Sequence, residues 1–268
     1  MDSRVIGRVL RGGLFGRPSF FACTSLRPRS IGMNAVVFGS SGGVGRALVD
    51  ALLTRGVYRT VFGVSRSGDA PAGATGLKAD ALNESAVEAA AQEAASAGDV
   101  TLCMVAIGRL HEGKSLQPEK SYRHQSRDGF ERIFAANTIA PALIAKHMLG
   151  RMPRSGRWVF APLSARVGSI GDNHLGGWHA YRASKAALNM LVRNYAIECG
   201  RTNKESICIG LHPGTVETGL SEPFQANVPD GQLFSPAQSA GHLLDVVDAL
   251  TPDDSGKLFD WAGKLIQP

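Results

Sequence analysis

The strongest constraint in this 268-residue chain is a glycine-rich turn set between an apolar strand and a helix. Asn34–Phe38 reads NAVVF, a short continuous apolar run, and it feeds directly into Gly39-Ser40-Ser41-Gly42-Gly43-Val44-Gly45. Helical patterning then covers Val44–Leu53. Glycines at 39, 43 and 45 let the chain turn sharply and let its backbone approach a phosphate with no Cβ in the way. The helix that follows points free N–H groups and the positive end of its dipole at the same place. No G-K-[ST] follows, so a nucleoside-triphosphate loop is excluded. A bare glycine turn with no ligand is the alternative.

The rest of the chain alternates. Strands are expected at Thr60–Val64, Gly76–Ala79, Val100–Ala106, Arg157–Leu163, Ile207–Leu211 and Leu258–Trp261. Helices are expected at Ala86–Ala95 (opened by Asn83 and Ser85), at Asp128–Met148, at Trp178–Glu198, and from the Ser235-Pro236 start signal through Leu250. Strand and helix in repeated order predict an α/β fold, a doubly wound parallel sheet with helices on both faces. No internal repeat and no interdomain linker interrupts it, so residues 34–268 read as a single domain.

Charge locates a second region. The net charge is +6 and the sequence pI about 9.4, which invites a nucleic-acid reading. Residues 1–33 hold six arginines (Arg4, Arg8, Arg11, Arg17, Arg27 and Arg29) against the single acid Asp2, so +5 of the excess lies there. The remaining 23 basic and 22 acidic residues nearly cancel, and no basic groove for nucleic acid is expected. Arg-rich, Ser-containing and nearly acid-free, residues 1–33 have the composition of a transit peptide, mitochondrial ahead of plastid. A basic tail of a cytoplasmic protein and a misassigned start are the alternatives. Arg8, Arg11 and Arg17 interrupt every apolar stretch that could serve as a secretory signal, and no apolar run approaches the roughly 18 residues of a membrane span. Cys23, Cys103, Cys199 and Cys208 show no C-x-x-C pairing, and no metal site is expected.

The loop spacing G-x-x-x-G-x-G, together with three later elements, resembles the short-chain dehydrogenase/reductase family. Tyr181-Arg182-Ala183-Ser184-Lys185 fits its Y-x-x-x-K, Asn137 its helix-four asparagine, and Pro213-Gly214 followed by Thr218 its P-G-x-x-x-T. The stretch GSIGDNHLGGWHAYRASKAALNM is most similar to the C-factor-like and sniffer-like carbonyl reductase branch. The resemblance spans roughly residues 34–262 and implies a Rossmann fold, a nicotinamide cofactor, and hydride transfer between that cofactor and a small carbonyl or alcohol. A catalytically weak nucleotide-binding sensor or interaction scaffold of the same fold is the alternative reading.

Tyr181 and Lys185 stand four apart, on one face of a helix. A carbonyl reduction needs a proton donor, and a phenol beside an ammonium and a nicotinamide is expected to titrate nearer working pH than the free value of about 10. By resemblance, Lys185 also binds the nicotinamide ribose, and Asn137 holds a water linking Lys185 to solvent. The serine is open. The line Leu163-Ser164-Ala165-Arg166-Val167-Gly168-Ser169 puts Ala165 where the second Ser of S-S-x-x-G would stand. Ser164 is favoured as the catalytic serine over Ser169, with a site lacking a serine as the remaining reading.

The resemblance places the cofactor on Gly39, Ser41, Gly43, Val44, Gly45, Asp80, Ala81, Ala106, Gly108, Tyr181, Lys185, Pro213, Gly214, Val216 and Thr218. Strand two ends Val64-Ser65-Arg66-Ser67 with no acid for a ribose 2′-hydroxyl, whereas Arg66 suits a 2′-phosphate. NADP(H) is therefore favoured, with NAD(H) as the alternative and Arg66 as a solvated loop charge. Ala106-Ile107-Gly108 stands where the family has N-A-G, so an asparagine anchor is missing there. His111, His124 and His179 read as surface histidines, and Trp178 either borders the substrate or packs in the core. Residues Glu217–Leu233 lie where the family carries its substrate lid. The resemblance also implies a homodimer or homotetramer paired through Asp128–Met148 and Trp178–Glu198.

Overall fold

The computed structural model describes residues 32–227 and 231–268, and the expected leader lies outside these residues but for Gly32 and Met33. Strand β1, Met33–Phe38, runs through the glycine turn into helix α1, Gly43–Arg55. Next come β2 (Thr60–Ser65), β3 (Thr75–Lys78), α2 (Glu84–Ser96) and β4 (Asp99–Val105). Helix α3 (Arg127–Phe134) and α4 (Ala140–Met148) lead to β5 (Trp158–Pro162) and the long α5 (His179–Thr202). The chain closes with β6 (Ser206–Cys208), β7 (Gly210–His212), β8 (Thr215–Val216), β9 (Leu233–Phe234), α6 (Pro236–Ala249), β10 (Leu258–Asp260) and β11 (Leu265–Ile266).

The main sheet has the order β3-β2-β1-β4-β5-β6, and every pairing in it is parallel. Its central strands are apolar without alternation because both faces are covered. Ala35 and Val37 of β1, Leu102 and Met104 of β4, and Val159 and Ala161 of β5 pack on one face against Leu48, Val49 and Leu52 of α1 and Leu243, Leu244 and Val247 of α6. The intervening Val36, Phe38, Cys103, Val105, Trp158 and Phe160 pack on the other face against α2, α4 and Ala196 of α5. This is the expected doubly wound α/β sheet in a single domain.

Two elements depart from the sequence reading. The single strand expected at Ile207–Leu211 is two, because the chain changes neighbours: β6 pairs with β5, β7 with β10, and Ile209 between them donates to Phe160. The helix expected over Asp128–Met148 is broken by a π-helical turn at Ala135–Ile139. Pro141 has no N–H for the carbonyl of Asn137 four residues earlier, so the regular ladder cannot continue there.

Candidate active site

At the C-terminal ends of β1, β4, β5 and β7 lies a cavity of about 610 Å³. Its first wall is backbone. Gly39 turns at φ 86° and donates to Val64 at 2.8 Å. A Cβ on Gly39 would stand 2.6 Å from the Ala106 carbonyl, one on Gly43 would stand 2.6 Å from the Thr218 methyl, and one on Gly45 would stand 2.1 Å from the Gly39 carbonyl. No side chain caps the first turn of α1, whose residues Gly43 and Val44 line the cavity beside Gly42.

The opposite wall is side chains. Tyr181 and Lys185, both on the first two turns of α5, line the cavity, with the Lys185 Nζ 5.9 Å from the Tyr181 ring centre and donating to the Leu163 carbonyl at 2.8 Å. Burial pushes the Tyr181 phenol up to about 12 and the Lys185 ammonium down to about 8. At this separation, burial outweighs the lowering of the phenol expected from the ammonium. The Tyr181 phenol is therefore protonated at neutral pH.

Asn137, fully buried in the π-helical turn, faces inward. Its Oδ1 accepts from the Arg109 N–H at 2.7 Å, and its Nδ2 donates to the Arg109 carbonyl at 2.9 Å and to the Ser184 hydroxyl at 3.0 Å. Ser184 in turn donates to the Tyr181 carbonyl at 2.7 Å, so Asn137 ties the β4 loop to α5. Gly108 lies between the two groups: a Cβ there would be 3.5 Å from the Asn137 Oδ1 and 3.7 Å from the Lys185 Nζ.

Of the two serines, Ser164 lines the cavity, and its hydroxyl donates to the Asn189 Oδ1 at 2.6 Å. The Ser169 hydroxyl instead accepts from the Asp172 N–H at 3.0 Å. Ala165 packs in one apolar cluster with Tyr181.

Ala106, Gly108, Pro213, Gly214, Val216 and Thr218 all line the cavity. Gly39 and Gly45 act from beneath, through the close contacts above. Arg66 follows β2 directly and is exposed, as is Ser41. Asp80 and Ala81 follow β3 closely, with the Asp80 carboxylate accepting from Leu82 at 3.0 Å. These four are outside the cavity lining.

Trp178 lines the cavity and packs edge-on to Tyr181 with ring centres 6.2 Å apart, so it both borders the site and packs. His111 bonds the Gly219 carbonyl at 2.9 Å, and no cluster of metal-binding side chains exists among the described residues. Phe224 has no described side chain, and Pro229 of the expected lid lies outside the described residues.

The cavity also holds residues that sequence reasoning passed over, Leu110, Arg166, Val167 and His212, and it is lined by Thr218, Gly219, Leu220 and Ser221 of the expected lid. His212 is held neutral, pushed down to about 4 by burial and then by the Arg166 charge. Its buried Nδ1 has no hydrogen-bond partner. Its place directly before Pro213-Gly214 was the available signal.

A backbone cradle that admits no Cβ, beside an uncapped helix start, fits the diphosphate of a dinucleotide, and a buried tyrosine–lysine pair fits proton transfer. Together they define a nucleotide-dependent oxidoreductase. The sequence profile of the short chain dehydrogenase family matches residues 33–229, and the chain belongs to that family. The C-signal protein of Myxococcus xanthus is 35% identical over 132 residues, which are 49% of this chain and 74% of that protein. Among solved structures, the NADPH-bound carbonyl reductase from chicken fatty liver superposes with a TM-score of 0.74 at 22% identity, covering 88% of this chain and 94% of that one. The carbonyl reductase Sniffer of D. melanogaster also gives 0.74, at 20% identity, over 88% of this chain and 100% of that one. No helix among the described residues is long and apolar enough to cross a membrane.

Proposed function

We propose that the protein is an NADPH-dependent carbonyl reductase acting on small ketones or aldehydes. The observation that carries this reading is the convergence of the Gly39–Gly45 cradle and the buried Tyr181–Lys185 pair on one cavity. When bound, the nicotinamide cofactor supplies the hydride. Tyr181 gives its phenolic proton to the carbonyl oxygen. Lys185 orients the cofactor ribose and stabilises the phenolate that forms, and Asn137 connects Lys185 to solvent. Ser164, the serine at the cavity wall, bonds the substrate oxygen. Pro213, Gly214, Val216 and Thr218 would hold the nicotinamide half, together with Ala106 and Gly108, all of which line the cavity. Asp80 and Ala81 would hold the adenine, and Arg66 would pair with the 2′-phosphate, which would favour NADPH over NADH.

The test is oxidation of NADPH, followed by absorbance, against a panel of aromatic and aliphatic carbonyls. Turnover with a kcat/KM for NADPH above that for NADH supports the reading. Tight NADPH binding with no turnover on any carbonyl favours the sensor or scaffold reading, which the alanine at position 165 motivates.

Exposed Ile139, Met190 and Ile197 on the outer faces of the α4 region and α5 support a homodimer or homotetramer through these helices. A monomeric mass by light scattering would count against it. Residues 1–33 act as a mitochondrial address in this reading, and a diffuse signal from a 1–33 reporter fusion would contradict it.

A further inference from the structure

We propose that Glu119 is the positioning residue of the catalytic helix: it replaces the N-terminal cap that α5 lacks and, through its carboxylate, sets how readily Tyr181 releases its proton. The inference rests on the role given to Tyr181 above.

Helix α5 is 24 residues long and begins after Trp178, whose side chain makes no capping hydrogen bond. Trp178 stands at φ 51°, the one non-glycine residue with positive φ among those described. Such a start leaves the first N–H donors of the helix without a local acceptor. Glu119, 61 residues before Ala180 and in the loop between β4 and α3, supplies the acceptors instead. Its main-chain carbonyl accepts from the Trp178 N–H at 2.6 Å. Its two carboxylate oxygens lie 3.4 and 3.3 Å from the Ala180 N–H, the second helical position, where a capping oxygen normally bonds. Gly177 makes room for this approach, since a Cβ there would sit 3.3 Å from the Glu119 carbonyl.

The residue is only 8% exposed. No lysine, arginine or histidine forms an ion pair with it among the described residues. A buried carboxylate is costly unless something offsets it, and here the offset is the positive end of the α5 dipole. Tyr181 is the third residue of that same first turn. The dipole alone favours its phenolate, and the Glu119 charge opposes the dipole. Ala180, whose N–H meets the carboxylate, packs with Tyr181, Leu110, Leu116 and Ile133, so an apolar cluster lies between the carboxylate and the phenol.

The other charges in reach belong to α5 and to neighbouring elements. Lys185 lies one turn further along α5, and Arg166 and His212 line the same cavity as Tyr181. Lys120, His124 and Asp128 line the cleft beside Glu119, and His179 begins the helix. None of these is altered by replacing Glu119 with its isosteric amide.

The test compares wild type, Glu119→Gln, Glu119→Ala and Tyr181→Phe. Glu119→Gln keeps an acceptor and removes the charge. The falling limb of kcat/KM for carbonyl reduction is expected to move to lower pH by about 0.3–1 unit. Its KM for NADPH is expected to stay within about twofold of wild type. The phenolate absorbance of the NADP+-bound protein, read as the difference from Tyr181→Phe, is expected to move by the same amount. Glu119→Ala removes acceptor and charge together, and kcat is expected to fall about tenfold with NADPH binding retained. A Glu119→Gln protein with wild-type pH limb and wild-type phenolate titration overturns the proposal, whatever its melting temperature, and so does a folded Glu119→Ala protein with wild-type kcat. If wild type reduces no carbonyl, the reductase reading fails, and the phenolate titration still decides the role of Glu119.

Discussion

The two walls of the cavity are built on opposite principles. On the β1–α1 side, function is carried by backbone: Gly39, Gly43 and Gly45 contribute no side chain, and an added Cβ at any of the three would meet another atom at 2.6 Å or less. On the α5 side, function is carried by side chains that the fold has removed from water. Tyr181 and Lys185 are both buried, and burial shifts them in opposite directions, the phenol up and the ammonium down. The first wall tolerates no added atoms. In the mechanism proposed above, the second tolerates no change of chemistry, because its groups would work through protonation states that burial sets. On that proposal one wall holds and the other reacts, and substitutions should separate the two.

The largest effect is expected on the reacting wall. Lys185→Met should lower kcat/KM about 10²- to 10⁴-fold while NADPH still binds, measured by steady-state kinetics beside fluorescence titration. The wild-type enzyme should lose reductase activity as pH rises past about 8, where the neighbouring Tyr181 and Lys185 begin to give up their protons as a pair, Lys185 first because its burial makes its proton easier to lose. A pH profile flat to pH 10 would contradict that role. On the holding wall, Gly45→Val should do the reverse. A Cβ 2.1 Å from the Gly39 carbonyl forces the turn open, destabilising the fold by about 1–3 kcal/mol and removing NADPH binding. Arg66→Ala should cost NADPH about 10- to 100-fold in kcat/KM and leave NADH nearly unchanged, the loss of a charge-assisted contact to phosphate. Smallest is the serine comparison. Ser164→Ala should lower kcat about tenfold, and Ser169→Ala should leave it within about twofold. Loss of kcat in Ser169→Ala alone would reverse the assignment.

The holding wall was legible in the sequence because its chemistry is local. Strand, glycines and helix start follow one another between Asn34 and Leu53, and only the packing of Gly39 on Ala106 and of Gly43 on Thr218 waits for the fold. The doubly wound sheet was legible for a related reason. Strands such as Val100–Ala106 are apolar on consecutive residues, which only burial on both faces explains. Much of the reacting wall was less open to reading. Tyr181 and Lys185 share a helix face and declare themselves by spacing. Glu119 sits beside Lys120 in a polar loop and looks like a surface charge until the fold brings it to Ala180. His212 gains its place only when β7 aligns with β10, where it pairs in register with Asp260. The break at Asn137 depends on two facts at once: a proline four residues on, and the Arg109 backbone waiting to bond the side chain. Of these, only the proline is visible in the sequence.

The division between a wall that holds and a wall that reacts is tested most directly by Tyr181→Phe, which removes one hydroxyl from a buried ring. NADPH affinity and carbonyl reduction should be measured on the same preparation as wild type, with a carbonyl that the wild type reduces. The expected result is an NADPH Kd within about twofold of wild type and a kcat/KM lower by at least about 10²-fold. A variant that reduces the carbonyl at the wild-type rate, or one that no longer binds NADPH, would contradict it.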